Sequence, residues 1–294
     1  MLIQPALAAP LKFAVVVPKT SSKAQVIYDE IIQGLRNTEN VTLVLYELSS
    51  VKKRNEASVH EWLSGENANA IISIGKTAHN LVKNFPTDIP VIAGGVSISP
   101  NNASGVSLTG EPEEFFANLI RIAPQVDRVF LIYNEDINGW WVNTARAKAS
   151  KYKIDLHALH VEDVKSGAKK YRQVLQDARR SKDAIWIPLV SIVPSKIVLP
   201  SVLKKAWEKN LVVFSNSATH TRQGALFSMY PDNVALGEQL AELAIEQVTA
   251  DTATFRVVPV RKLKTAFNER TASHLGLEYS TNRGSGFDRI YPAQ

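Results

Sequence analysis

Short apolar runs rich in β-branched residues alternate with segments of helical periodicity along most of the chain. Phe13–Val17 is a continuous apolar run, and the segment from Ala24 to Asn37 that follows it carries an apolar stripe at helical spacing. The same alternation recurs around Val129–Tyr133 and Ala184–Pro188. An uninterrupted apolar strand is typical of a parallel sheet that helices cover on both faces. The chain is therefore predicted to be an α/β protein with doubly wound parallel sheets.

The alternation is interrupted once and then restarts, which indicates two lobes. Gly105–Gly110 is interpreted as a crossover, and Glu113–Ile122 begins a second series with acidic residues suited to a helix N-terminus. A length of 294 residues is enough for two domains, each with its own core. Each lobe is predicted to contain one doubly wound parallel sheet.

Composition places the chain among globular proteins and excludes several classes of site. Hydrophobic residues make up 45% and charged residues 21% of the chain. The net charge of +6 is spread over basic pairs such as Lys169–Lys170, which fall on helical segments together with acidic residues. This pattern predicts solvated helix faces and no nucleic-acid partner. The chain has no cysteine, which excludes disulfides and thiolate metal sites.

The motifs that suggest catalysis or metal binding are incomplete. Gly75-Lys76-Thr77 follows an apolar strand, as in a phosphate-binding loop, but that loop requires glycine where this chain has Ala70. His157 and His160 lie three residues apart on a predicted strand, which places them on opposite faces and not together on zinc. No G-x-S-x-G nucleophile motif occurs. We predict a non-enzymatic protein with no metal and no cofactor.

The first residues suggest export. Ala6-Leu7-Ala8, followed by Ala9, matches the A-x-A pattern at which signal peptides are cleaved. Residues 1–8 are interpreted as the tail of an export signal, with an ordinary frayed N-terminus as the alternative. No uninterrupted apolar run approaches the roughly 18 residues of a membrane helix. The mature protein is expected to be periplasmic.

The last quarter of the chain carries a group of motifs that resembles a known family. The motifs are Gly224-Ala225-Leu226 on a strand, Asp232 with Gly237 and Ala241 on a helix, and Asn268 with Ala272, Leu275 and Gly276 on a later helix. This arrangement resembles the TrpX-like family of ABC-transporter substrate-binding proteins. The resemblance implies a type I periplasmic-binding fold, in which two lobes joined by a three-strand hinge trap a ligand.

The resemblance also implies how the chain is divided between the lobes. It implies that the chain returns to the first lobe near Met229 and recrosses around Val257–Val260. The expected first lobe is 9–109 with 229–256, and the expected second lobe is 110–228 with 257–294.

Candidate ligand-binding residues follow the strands of the first lobe. Parallel α/β sheets bind ligands at the carboxyl ends of their strands, where helix N-termini point free N–H groups. The residues predicted on this ground are Lys19, Thr20, Ser21, Gly75, Lys76, Thr77, Gly95 and Ser97. For Gly75 and Thr77 the resemblance implies ligand contact as well. Lys76 departs from the family and is interpreted either as an attractor for an anionic group or as a solvent-facing side chain.

The second lobe supplies candidates by the same argument. They are Asn134, Glu135, Trp140, Val190, Ser191 and Asn216. Trp140 and Trp141 follow Asn138-Gly139 at a predicted strand–helix turn. One of the two rings is expected to stack on a flat or apolar ligand, and the alternative is that both pack under the hinge. Acidic residues that the family carries near Ser97 and Val190 are missing, which weakens the prediction of an amino-acid ligand, although Glu135 or Asp136 could replace them.

The sequence therefore predicts a monomeric solute-binding protein that presents a small ligand, an amino acid or another organic solute, to an ABC permease. The alternative is a ligand-sensing module of the same fold that signals through a membrane sensor. Neighbouring genes for a permease or for a sensor kinase would distinguish the two.

Overall fold

The computed structural model describes residues 9–20, 23–48, 56–101, 103–191, 194–250, 254–277 and 286–292. The predicted signal tail, residues 1–8, lies outside these ranges, as does the candidate residue Ser21. The described chain forms two compact units. The first contains residues up to Leu108 together with Asp232–Val260, and the second contains Thr109–Pro231 together with the residues from Arg261 onward.

The first unit is a sheet with helices packed on it. Its strands are β1 (Leu11–Pro18), β2 (Val41–Leu48), β3 (Ala70–Ile74), β4 (Val91–Val96), β5 (Ser104–Gly110, whose last two residues belong to the second unit) and β11 (Val257–Val260). Its helices are α1 (Lys23–Arg36), α2 (Glu56–Gly65), α3 (Gly75–Val82) and α9 (Asn233–Thr249). Among the described residues the strand order is β11-β5-β4-β3-β1-β2, and the pairs from β2 to β5 are parallel.

The second unit repeats the arrangement with an antiparallel addition. Its strands are β6 (Arg128–Tyr133), β7 (Asp155–His160), β8 (Asp183–Ile187), β9 (Val212–Ser215), β10 (Phe227–Pro231), β12 (Leu263–Asn268) and β13 (Arg289–Tyr291). Its helices are α4 (Pro112–Ile122), α5 (Glu135–Ala149), α6 (Val164–Asp177), α7 (Ser195–Lys209), α8 (Ala218–Gln223) and α10 (Glu269–His274). The strand order in the described part is β13-β12-β10-β9-β8-β6-β7, and only β12 against β10 is antiparallel among the recorded pairs.

These two sheets confirm the predicted α/β class with two parallel-dominated, helix-covered sheets. The unit boundaries differ slightly from the expected lobes. The strand Val257–Val260, expected in the second lobe, belongs to the first sheet. The strand Phe227–Pro231, within which the chain was expected to return to the first lobe, belongs entirely to the second sheet. The reason is that each strand stays with the sheet in which it is paired: β11 is the edge strand of the first sheet, and β10 pairs with β9 and β12 in the second. The chain therefore changes unit at the ends of β10 and β11.

Two glycines bring α1 and α9 into unusually close contact in the first unit. A Cβ added to Gly237 would lie 2.0 Å from the carbonyl oxygen of Ile31, and one added to Gly34 would lie 1.9 Å from that of Val234. Such separations are impossible for real atoms, so each position accepts only hydrogen. The Asp232 side chain accepts hydrogen bonds from the Val234 and Ala235 N–H groups and begins α9 as its N-cap. Of the motif residues in this helix, Asp232 therefore caps α9 and Gly237 allows α9 to contact α1.

The core of the second unit contains a row of aromatic side chains. Trp186 on β8 lies 4.7 Å from Trp141 and 5.2 Å from Phe214 between ring centroids, and Phe214 stacks on Phe227 at 5.0 Å. All four rings are fully buried. The Trp141 Nε1–H donates to the Gly110 carbonyl at 2.8 Å. The row packs β8, β9 and β10 together in this core.

A carboxylate joins α4 to the end of α5. Glu113 accepts a hydrogen bond from Lys148 Nζ at 2.8 Å and another from Lys151. The hydrogen bonds from Lys148 and Lys151 lower the pKa of Glu113 from its ordinary value to about 2. Because the folded pKa lies below the unfolded one, this carboxylate stabilises the fold above about pH 4.5 and loses that effect as the pH falls toward about 2.

We therefore expect Glu113→Gln to lower stability most above pH 4.5 and to match the wild type near pH 2. Denaturation midpoints measured across this range would check the convergence. Glu114→Gln is the matched control, because Glu114 forms no ion pair with any residue that the structure describes. A constant difference between Glu113→Gln and wild type at every pH would contradict the assignment.

Candidate functional site

The carboxyl edge of the first sheet brings together most of the residues predicted in this unit. β1, β3 and β4 are adjacent and parallel, so the segments that follow them lie side by side. Lys19 and Thr20 follow β1, Gly75, Lys76 and Thr77 form the first turn of α3, Gly95 lies near the end of β4, and Ser97 follows it.

Gly75 and Gly95 shape this edge through their backbone. Gly75 has φ +82° and Gly95 has φ +64°, both in the left-handed region that side chains disfavour. A Cβ on Gly75 would lie 2.9 Å from the Tyr28 hydroxyl oxygen, and a Cβ on Gly95 would lie 3.4 Å from the Gly75 nitrogen. Tyr28 is not among the predicted site residues, and its hydroxyl lies against the start of α3.

The two lysines at this edge have different surroundings. Lys19 Nζ forms an exposed ion pair with Glu47 Oε2 on β2 at 2.7 Å, and the hydrogen bond with Glu47 raises the pKa of Lys19. Lys76 is exposed in the first turn of α3 and has no ion-pair partner among the described residues. The residue before this helix, Ile74, supplies no side-chain cap for it. The start of α3 is therefore the more electropositive position of the two.

In the second unit, backbone and amide contacts join the carboxyl ends of neighbouring strands. The Asn134 Nδ2 group donates to the Val161 carbonyl at 3.1 Å, joining the ends of β6 and β7. The Asn216 N–H donates to the Ile187 carbonyl at 3.3 Å, joining the ends of β9 and β8. Three predicted segments, at Asn134, at Val190 and at Asn216, thus meet at one edge of this sheet.

Two buried side-chain amides at this edge each retain one atom without a hydrogen-bond partner in the described structure. Asn138 donates from Nδ2 to the Val190 carbonyl at 3.1 Å, and its Oδ1 has no partner. Asn216 accepts at Oδ1 from Trp186 Nε1 at 2.8 Å, and its Nδ2 has no partner. A carbonyl can only accept and an indole N–H can only donate, so these contacts fix both amide orientations. The edge therefore offers one buried acceptor and one buried donor.

The predicted start of the helix near Trp140 needs correction. The sequence predicts a turn before the tryptophans, whereas α5 begins at Glu135 and includes both of them. Trp140 is partly buried and packs against the core of the second unit. Glu135 is exposed and folds back over Gly139, where a Cβ would lie 2.2 Å from Glu135 Oε1. A glycine inside the helix leaves space for the carboxylate and does not end the helix.

Ser191 lies beside a tyrosine that the sequence did not suggest. Tyr171 on α6 is fully enclosed, with a relative exposure of 1%. Burial raises the pKa of the Tyr171 hydroxyl well above its ordinary range, and the neighbouring Ser191 side chain acts weakly in the opposite direction. Tyr171 therefore remains a neutral hydroxyl behind the loop that carries Val190 and Ser191.

Asn138 is not among the predicted site residues, although the sequence contains a signal for it. Glu135 and Asp136 directly follow a strand, and acidic residues there mark the first turn of a helix. A helix that begins at Glu135 places Asn138 one turn from Asn134. In the structure the Asn138 N–H donates to the Asn134 carbonyl at 2.8 Å. The glycine at 139 was interpreted as a turn instead.

The described residues contain no group of three or more histidine, aspartate or glutamate side chains placed to hold a metal ion. No helix among the residues that the structure describes is long and apolar enough to cross a membrane.

Comparison with known proteins defines the class. The family model described as ABC transporter substrate binding protein matches residues 12–282. The chain therefore belongs to the family of ABC transporter substrate-binding proteins, as the resemblance indicated. No curated protein sequence matches the chain.

Solved structures share the fold at low sequence identity. A ligand-free, open substrate-binding protein with adhesive properties, CD0873 from Clostridium difficile, has a TM-score of 0.61 at 16% identity over 95% of this chain and 99% of that one. An ABC domain from Streptococcus pneumonia in complex with L-Trp has a TM-score of 0.57 at 17% identity over 96% and 99%. These similarities agree with the type I periplasmic-binding fold.

Proposed function

We propose that this substrate-binding protein traps a small polar organic solute of the amino-acid class between its two units and presents it to an ABC permease. The proposal includes a periplasmic location and a monomeric state. The observation that carries it is the pair of unpartnered buried amide atoms, Asn138 Oδ1 and Asn216 Nδ2, at the carboxyl edge of the second sheet.

Buried polar atoms without partners are unfavourable, and a ligand can relieve that cost. Leaving one such atom unpaired costs about 1–3 kcal/mol. A ligand N–H or ammonium group can donate to Asn138 Oδ1, and a ligand carboxylate or carbonyl can accept from Asn216 Nδ2. A solute with both kinds of group recovers both hydrogen bonds, which favours an amino acid over a purely apolar compound.

The first unit supports a second polar contact. The uncapped first turn of α3, with exposed Lys76, suits a carboxylate or another electron-rich ligand group. Glycine at position 75 keeps this backbone accessible beside the Tyr28 hydroxyl. The proposed ligand therefore contacts Gly75, Lys76 and Thr77 in one unit and the two asparagines in the other.

Closure of the units is the proposed mechanism. The chain passes from one unit to the other three times, after Leu108, Pro231 and Val260, and these segments are the proposed hinge. A ligand that contacts both units only when they are closed binds that state more tightly and shifts the equilibrium toward it. The closed state is the form that a permease would recognise.

Asn216→Asp tests the ligand-binding part of the proposal. Aspartate retains an oxygen that accepts from Trp186 Nε1 but replaces the donor Nδ2 with a second acceptor. We expect wild-type protein to bind one amino acid or small carboxylate in a calorimetric panel that begins with aromatic amino acids, because L-Trp is bound in the similar Streptococcus structure. Asn216→Asp should weaken that binding by about tenfold or more.

Asn118→Asp is the matched control. Asn118 on α4 is also buried, accepts at Oδ1 from Arg121 and leaves Nδ2 without a partner in the described structure. Equal weakening in both variants would contradict a ligand role for Asn216, as would the absence of binding by any compound to folded, ligand-free protein. Loss of ligand uptake on deletion of the gene would support delivery to a permease, whereas unchanged uptake with a lost signalling response would support the sensor alternative.

A further inference from the structure

A cavity lies at the opposite edge of the second sheet from the proposed ligand site. It has a volume of about 550 Å³ and is formed by residues of α7, α8, α10 and β13. Gly224 lies just before β10, and Asn268 at the end of the antiparallel β12 lies beside Leu226. These residues place the cavity at the amino ends of β9 and β10, so we call it the amino-edge pocket.

The charged lining of the amino-edge pocket is entirely basic. Lys204, Arg222 and Arg270 line it, and no aspartate or glutamate does. All three side chains are exposed, and none forms an ion pair with a carboxylate in the part of the chain that the structure describes. Three cations around one concave surface repel one another, and an anion in the cavity would relieve that repulsion.

The walls behind these cations are already ordered. Asn268 donates from Nδ2 to the Thr221 carbonyl at 2.8 Å and accepts at Oδ1 from the Thr271 N–H at 2.9 Å. The Thr271 hydroxyl donates to the Gly224 carbonyl at 3.0 Å. A ligand would therefore meet a preformed wall and would need to order only the long basic side chains.

An aromatic pair holds one of the cations in place. Trp207 stacks on His274 with ring centroids 3.5 Å apart, and the Arg270 guanidinium carbon lies 5.7 Å from the Trp207 ring centroid. Trp207 is 39% exposed, so its ring is accessible beside the pocket. An arginine held over an aromatic ring keeps its planar N–H groups oriented for an oxyanion.

We propose that the amino-edge pocket binds a small multivalent anion through Lys204, Arg222 and Arg270. The ligand class is a metabolite with at least two phosphate or carboxylate groups, because guanidinium groups pair with both through parallel N–H···O hydrogen bonds. A cavity of this volume lies within the range of small-molecule sites. The site is separate from the proposed solute site and does not depend on it.

Calorimetric titration with inorganic pyrophosphate and with citrate tests the proposal. We expect at least one probe to bind wild-type protein, and Arg222→Gln with Arg270→Gln to weaken that binding by about tenfold or more. Arg172→Gln with Arg180→Gln removes the same charge from exposed positions elsewhere in the second unit and should leave binding unchanged. A preference for pyrophosphate would indicate a phosphorylated ligand, and a preference for citrate would indicate a polycarboxylate.

A substitute variant and a control variant complete the test. If the double arginine variant does not fold, Lys204→Gln provides the same test with a smaller expected loss. Asn216→Asp should leave probe binding unchanged, which separates this pocket from the proposed solute site. Failure of both probes to bind wild type, or equal weakening by both double variants, would overturn the proposal.

Discussion

Replacing Gly237 by alanine is expected to lower the melting temperature of the first unit by about 5–10 °C. The added Cβ would lie 2.0 Å from the Ile31 carbonyl oxygen and 2.9 Å from the Gly34 Cα. Both atoms belong to the backbone of α1, which cannot move aside as a flexible side chain can. The helices α1 and α9 must separate, and overpacking of this kind costs about 1–3 kcal/mol or more.

The matched control is Gly65→Ala at the end of α2. A Cβ there meets no atom within 4 Å. Because alanine has a better helix propensity than glycine, this variant should be neutral or up to about 1 kcal/mol more stable. Calorimetry gives both melting temperatures, and hydrogen exchange should show faster opening of α1 and α9 only in Gly237→Ala. Similar melting temperatures for the two variants would show that the contact between α1 and α9 is readily deformed.

The second large effect is expected for Asp183→Ala, which should destabilise the second unit by about 3–5 kcal/mol. The Asp183 side chain is 1% exposed and accepts hydrogen bonds from Arg128 Nη2 at 2.5 Å and from the Arg179 backbone N–H at 2.6 Å. Burial opposes its charge, yet the hydrogen bonds from the two arginines outweigh burial and lower the pKa of the carboxyl. Removing it leaves the cations and a backbone donor without their partner.

Glu208→Ala is the comparison for this effect. Glu208 forms an ion pair with Lys205 at 2.7 Å on the exposed face of α7, and such pairs contribute about 0–1 kcal/mol. In denaturant unfolding, Asp183→Ala should therefore lose several times more free energy of unfolding than Glu208→Ala. A loss below about 1 kcal/mol in Asp183→Ala would mean that water replaces the carboxylate among the partly exposed arginines.

The fold could be predicted because its signal is distributed over many residues. Continuous apolar strands such as Phe13–Val17 become buried strands of a parallel sheet, and Ile31 and Leu35 on α1 are buried with them. The errors in the predicted element boundaries arose where a single residue was interpreted without its tertiary contacts. Gly139 is interpreted as a helix break in isolation, but the structure includes it in α5 beside a folded-back Glu135.

The candidate site was less predictable for a physical reason. The rule that ligands bind at strand ends selects Asn134 and Asn216 from sequence order alone. Which side-chain atom lacks a partner depends on tertiary contacts, such as that between Asn138 and the Val190 carbonyl 52 residues away. Likewise, the basic lining of the amino-edge pocket combines residues from α7, α8 and α10, whose separation in sequence conceals the cluster.

The hydrogen bond from Trp186 to Asn216 also gives the protein an intrinsic optical reporter. The indole is fully buried, and its N–H donates directly to the amide that the proposed solute would contact. Indole emission depends on the dipoles around the excited ring, so occupancy of Asn216 should shift the fluorescence of Trp186. Trp141, only 4.7 Å away between centroids, shares this environment and is close enough to exchange excitation with it. Solute binding could thus be followed in real time in unlabelled protein.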